Sequence, residues 1–175
     1  MQHLMYKKYH IQTVTEEDIP AITKLVNSAY QGEPGSKSWT SEGNIVAGQR
    51  TTEDIVRSLV QQPDITMLQC IDEQQTIVGC VLLEKKENTL YLGMLSVEPQ
   101  LQASGIGKLL VEEGESFARD HGYDTVTITV IDIRHELIDW YKRKGYRPTG
   151  NRQPFSNHSS KALASFSFME MKKEL

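Results

Sequence analysis

Much of what would announce a function is missing from this chain. Cysteine occurs twice in 175 residues. Cys70 and Cys80 lie in consecutive strand-like runs and form no C-x-x-C, so neither a disulfide framework nor a zinc site is indicated, and both thiols read as small buried hydrophobes. The five histidines are scattered, without H-E-x-x-H or any paired ligand spacing, which argues against a metal. Lysine and arginine number 19 against 23 acidic residues, for a formal net charge of -4, so there is no basic footprint for nucleic acid. Apolar runs are short, "CVLL" being typical, and the opening "MQHLMYKKYH" has no apolar h-region. These absences lead us to expect a cytoplasmic protein with no nucleic-acid or membrane partner. No internal repeat, low-complexity tract or interdomain linker interrupts the chain, and its length suits one domain over 1–175.

What is present alternates between two periods. "YHIQTVT" reads as a strand, and "TEEDIPAITKLVNSAY" opens on a capping-type threonine and continues at helical spacing. "QGEPGSKSWTSEGNIVAGQR" is irregular and long enough to be a functional loop, and "TTEDIVRSLVQQ" resumes a capped amphipathic helix. "ITMLQCID", "TIVGCVLLEKK" and "TLYLGMLSV" then form three strand-like runs separated by short polar turns, which suggests an antiparallel meander. A helix over 105–121, a strand over 125–131, a short helix ending at Gly145 and two more strands complete the order. This predicts a mixed, mostly antiparallel sheet of about seven strands flanked by helices, an α/β (α+β) fold with one parallel step between the strands at 89–97 and 125–131.

The chemistry-bearing stretch is "LSVEPQLQASGIGKLL", residues 95–110. A helix starting at Gly105 presents unpaired backbone N–H groups and the positive end of its dipole, and Gly105 and Gly107 remove side chains that would block close approach of an anion. Two phosphate motifs fail. A Walker A loop needs glycine where Gln102 stands and Ser or Thr where Leu109 stands, and a dinucleotide fingerprint needs a third glycine where Leu110 stands.

What remains, Gln102-x-x-Gly105-x-Gly107 after "LSVEP", resembles the pyrophosphate loop of the GNAT superfamily of acyl-CoA-dependent N-acyltransferases. "RHELIDWYKRKGYRPTG" is similar to that family's later motif, a short helix ending in Tyr, a basic stretch, then Gly-Tyr and a strand. "YHIQTVTEEDIPAITKLVNSAY" looks like its opening strand and helix. The resemblance implies a single-domain GNAT fold with a V-shaped splay between the fourth and fifth strands, and acetyl-CoA as co-substrate. It places Leu95, Ser96 and Val97 along the pantetheine arm and the amides of Gln102, Ala103, Ser104, Gly105, Ile106, Gly107 and Lys108 around the pyrophosphate.

The same resemblance makes Tyr141 the general acid beside the departing thiolate and a contact of the cofactor. A core tyrosine with its hydroxyl satisfied by a carbonyl is the alternative. Arg134 departs from the asparagine of many members, and only its location near CoA is carried over. Glu98, just past the strand end, is named as a base, with Glu42 and His135 as other candidates; a solvated surface group is the default for each. Trp39, Thr40, Glu42 and Arg50 fall where the fold walls its acceptor pocket. Ring face and charge there suit a cationic amine, although Trp39 equally serves to anchor the loop. The implied activity is acetyl transfer from acetyl-CoA to a primary amine of a small molecule or peptide, with both substrates bound together. A catalytically idle acyl-CoA-binding sensor is the alternative, and a homodimer is left open.

Overall fold

The structure is a computed structural model and describes residues 8–31, 46–47, 50–154, 161–162 and 167–175. Seven strands form one sheet: β1 (His10–Thr13), β2 (Ile65–Ile71), β3 (Ile77–Lys85), β4 (Leu90–Val97), β5 (Thr125–Ile131), β6 (Arg147–Pro154) and β7 (Ser167–Glu174), in the spatial order β1-β2-β3-β4-β5-β7-β6. Four helices accompany them: α1 (Ile19–Gln31), α2 (Glu53–Val60), α3 (Ile106–Asp120) and α4 (His135–Arg143). A separate short ladder pairs Val46–Ala47 with Lys161–Ala162. Among the described residues no helix is long and apolar enough to cross a membrane.

The connections explain the pairing. Between β2 and β3 the Asp72 carboxylate accepts from the amides of Gln74 and Thr76, both at 2.9 Å, closing a turn too short for anything but an antiparallel hairpin. From β4 to β5 the chain instead passes through α3, and this pairing is parallel. The mixed sheet with a single parallel step agrees with the order read from the sequence.

Strand β3 shows why the sheet carries helices on both faces. Val81 and Leu83 join one buried cluster, with α3 and β5, whereas Cys80 and Leu82 join another, with α1 and Val56 of α2. Strand alternation sends successive side chains to opposite faces, so an unbroken apolar run is what a strand covered on both sides requires. Cys70 and Cys80 are free and fully buried, and burial pushes each thiol up to about 12, which suits packing and not reactivity.

Strand β4 breaks its own alternation. Leu90 and Leu92 face the α3 cluster, but the next residues to do so are Leu95 and Val97, a change of parity within one strand. Met94, at φ 50°, absorbs the extra residue: Leu82 pairs with Gly93 and Cys80 with Ser96, two steps on β3 against three on β4. Such a bulge kinks the strand carrying it.

Helix α3 lies close on this sheet because of two glycines. A Cβ added at Gly79 of β3 would stand 2.8 Å from Ile106 Cγ2, and one at Gly114 of α3 would stand 2.8 Å from Leu92 Cδ1 and 3.1 Å from Leu83 Cδ2. We expect Gly114→Val to cost about 1–3 kcal/mol through overpacking, despite removal of a poor helix former. Urea unfolding measures it; a loss below about 0.5 kcal/mol would mean that α3 lifts freely off β4.

Candidate active site

β4 and β5 share two ladder pairs, Leu90 with Val126 and Tyr91 with Thr127, although the strands run on to Val97 and Ile131. Beyond Tyr91 they part, and the gap between them is a cleft reached by Tyr30, Arg50, Met94, Arg134 and Tyr141. Its narrow end is tied by a hydrogen bond between the Tyr91 hydroxyl and Thr129 Oγ1 at 3.0 Å. Gly93 is needed there, since an added Cβ would sit 2.7 Å from the Tyr91 ring. Ser96 donates to the Met94 carbonyl at 3.0 Å, holding the bulge from its own strand.

Past β4 the chain makes a short 3-10 turn over Pro99–Leu101 and then the glycine loop. Gln102 Nε2 donates to the Val97 carbonyl at 3.3 Å, and the Ser104 hydroxyl donates to the Leu101 carbonyl. Ala103 and Gly105 both take the left-handed conformation, at φ 69° and 91°. The α3 ladder opens with Leu109 N–H to the Gly105 carbonyl at 3.0 Å, so the amides of Gly105 to Lys108 stand ahead of it. Gly107 differs from Gly105. Its backbone is helical, and an added Cβ would find only ordinary contact, 3.6 Å from the Trp140 ring and 3.8 Å from Val97. The fold does not require glycine at that position.

Tyr141 comes to the cleft from α4. It is 5% exposed and packs edge-on against Trp140 and Tyr146, with ring centroids 4.9 and 5.5 Å away. Its hydroxyl makes no hydrogen bond among the described residues. Burial, then the neighbouring Tyr30, Tyr146 and Tyr91, push this phenol well above its ordinary value, and the Arg134 guanidinium only partly opposes them. The group is therefore a neutral O–H throughout the physiological range. Next to it, Tyr146 donates to Glu115 Oε1 at 3.4 Å, and Lys173 Nζ meets the same oxygen at 2.6 Å, a partly buried pair tying α3 to β7.

The mouth of the glycine loop carries positive charge. Lys144 Nζ lies 4.3 Å from the Trp140 ring centroid, and its ammonium is shifted down, first by burial and then by Lys108, against the pull of Glu112. Lys108 is exposed, 3.7 Å from Glu112.

Several residues named from the sequence thus come together. Leu95, Arg50, Arg134 and Tyr141 line the cleft, Ser96 and Val97 continue β4, and Gln102, Ala103, Ser104, Gly105, Ile106, Gly107 and Lys108 form the loop and first helical turn. Glu98 does not line the cleft; its amide donates to the Val78 carbonyl at 2.9 Å and its own carbonyl accepts from Leu101. His135 is exposed at the start of α4. Trp39, Thr40 and Glu42 lie outside the described residues. Among the described residues no cluster of His, Cys, Asp and Glu could hold a metal ion. Sequence reasoning passed over Tyr30, Tyr91, Met94 and Thr129. Only Tyr91 and Met94 left a trace, in the parity change of "LYLGMLSV".

A family model described as Acetyltransferase (GNAT) family matches residues 20–146, more than half of the chain. The chain is similar to a peptidyl-lysine N-acetyltransferase of Escherichia coli K12, 27% identical over 101 residues, which are 58% of this chain and 61% of that protein. It is also similar to an amino-acid acetyltransferase of Mannheimia succiniciproducens, 23% identical over 139 residues, 78% of this chain but 27% of that protein. The chain therefore spans about three fifths or less of the length of these curated relatives. Its fold is similar to the ribosomal-protein-S18-alanine N-acetyltransferase of Escherichia coli, with a TM-score of 0.71 at 14% identity over 95% of this chain and 93% of that one. An N-acetyltransferase of Staphylococcus aureus Mu50 gives 0.74 at 16% identity over 95% and 97%.

The two glycines of the loop separate fold from site. Gly105→Ala should cost about 1–2 kcal/mol, the penalty for a Cβ in the left-handed region, whereas Gly107→Ala should cost nothing and gain up to about 1 kcal/mol of helix propensity. Thermal or urea unfolding of the two variants checks this. Equal destabilisation would mean that Gly107, too, is a requirement of the fold.

Proposed function

The chain belongs to the GNAT acetyltransferase family, and on that footing we propose that it transfers an acetyl group from acetyl-CoA to a primary amine by direct transfer, with both substrates bound at once. The observation that carries this reading is that one splayed cleft joins a helix start, whose first amides precede the helical ladder, to a buried phenol whose hydroxyl makes no hydrogen bond among the described residues. The residues fit the donor. The amides of Gly105 to Lys108 suit a pyrophosphate, because Gly107 leaves them uncovered without being needed by the fold, and Lys108 and Lys144 add positive charge nearby. The unpaired edge of β4 from Gly93 to Val97 offers backbone groups to the amides of a pantetheine arm.

Acetyl-CoA supplies the activated acyl group as a thioester. Tyr141 offers its proton to the sulfur as the carbon–sulfur bond breaks and regains one, directly or through solvent, from the nitrogen that has joined the acyl carbon; a buried setting that excludes competing water favours such a donor. Among the described residues no carboxylate lines the cleft, so we propose that the amine arrives neutral, its proton given up to solvent. Glu98 would need an intervening water to take part.

Because the Tyr141 phenol is held well above its ordinary value, raising the pH should only help. The rate should climb as the acceptor amine loses its proton and show no descending limb below about pH 10. A falling limb near neutrality would mean that the acid is another group.

Tyr141→Phe keeps the ring packing and removes the proton, so turnover should drop about 100-fold or more while acetyl-CoA affinity by calorimetry stays within about threefold. A variant as fast as the parent would return Tyr141 to a packing role. A parent that binds acetyl-CoA and acetylates no amine would favour the idle acyl-CoA-binding sensor.

A further inference from the structure

We propose that the amine acceptor of this site also carries a carboxylate, and that Arg50 holds it; this rests on the acetyltransferase reading above. Arg50 is built into the wall of the cleft and is not a loose surface cation. The next residue, Thr51, is buried and clamped to α1: its N–H donates to Asn27 Oδ1 at 2.9 Å, and its carbonyl accepts from Asn27 Nδ2 at 3.1 Å. The guanidinium lies over the Tyr30 ring, with Cζ 5.0 Å from the centroid. Stacking fixes the plane of the group and leaves its N–H edge to point elsewhere.

That edge is the telling feature. Arg50 Nε is buried and has no hydrogen-bond partner among the described residues. A buried guanidinium N–H without an acceptor is costly, and a bound acceptor atom relieves it. A carboxylate matches the guanidinium fork with two parallel N–H···O bonds, a geometry that a carbonyl or hydroxyl cannot reproduce.

Charge selects the same chemistry. Arg50 lines the cleft with the phenols of Tyr30, Tyr91 and Tyr141, and among the described residues no carboxylate lines it. The Arg50 guanidinium, in a partly enclosed, low-dielectric space, disfavours a polyamine or a lysine-rich peptide, which brings a second positive charge with the reacting amine. An amino acid brings a negative one. With its carboxylate on Arg50, its amine shares the cleft with the Tyr141 hydroxyl. The cationic acceptor suggested by Trp39 and Glu42 is replaced in this proposal by an anionic one.

The test measures thiol release from acetyl-CoA with glycine, L-methionine, L-phenylalanine and L-glutamate, each beside its α-carboxamide, and with spermidine and a lysine peptide as cationic controls. At least one acid should exceed its own amide by about 30-fold or more in kcat/KM, the scale for removing one partner of a desolvated charge pair. For that acid, Arg50→Gln should raise KM by a similar factor, with acetyl-CoA affinity by calorimetry unchanged; Arg50→Lys should recover part of the loss. Amides or cationic controls used as well as the acids would overturn the inference and leave the acetyltransferase intact. So would acetyl-CoA binding with no acid accepted. Failure to bind acetyl-CoA at all would remove the underlying reading as well. If Arg50→Gln does not fold, the acid-to-amide ratio of the parent protein still decides.

Discussion

Everything in this molecule turns on where β4 stops pairing with β5. A parallel pair is stable only while its ladder is satisfied, and here the ladder ends at Tyr91 and Thr127 although both strands continue. The extra residue at Met94 bends β4 away while returning Leu95 and Val97 to the α3 side, so the strand leaves its neighbour without surrendering its core contacts. The backbone groups that lose their partner are those the proposed reading gives to the pantetheine arm. The same departure aims β4 at the glycine loop and opens the space that Tyr141 reaches from α4.

A second constraint acts on charge. The buried Glu115 carboxylate is paired with the partly exposed Lys173 next to Tyr146, whereas among the described residues no carboxylate lines the cleft that Arg50 and Arg134 reach. Only Glu115 of this pair is buried, so removing Lys173 would leave a buried carboxylate without its cation, which is expensive and makes the pair a marker of geometry. Tyr146, held by this pair, sets one wall against which the Tyr141 ring rests.

The readable part of the sequence was the part written in local geometry. Strand and helix periods gave the sheet and its single parallel step, and Gly105 and Gly107 marked the loop because backbone exposure needs small residues at fixed offsets. Leu90, Leu92, Leu95 and Val97 even spelled out the change of parity. The cleft itself was less legible. Tyr91 meets Thr129 across 38 positions and Arg50 stacks on Tyr30 through a fold-dependent approach of two segments, so no spacing rule could reveal either. Glu98, near the strand end in sequence, does not line the cleft, because nearness along the chain does not fix where a side chain ends up.

The two-pair junction also has a mechanical meaning. The sheet is two stiff plates, β1 to β4 and β5-β7-β6, each laddered within itself apart from local bulges and joined to the other by two parallel pairs, a phenol-to-threonine bond and the overlying α3. Cohesion across the seam is far poorer than within either plate. On the proposed reading, a donor lying along the seam and bonding to both lips would do the work of a missing strand, so that occupancy would stiffen the joint and release would loosen it. The turnover cycle would then be accompanied by a periodic hardening and softening of the sheet along that one line.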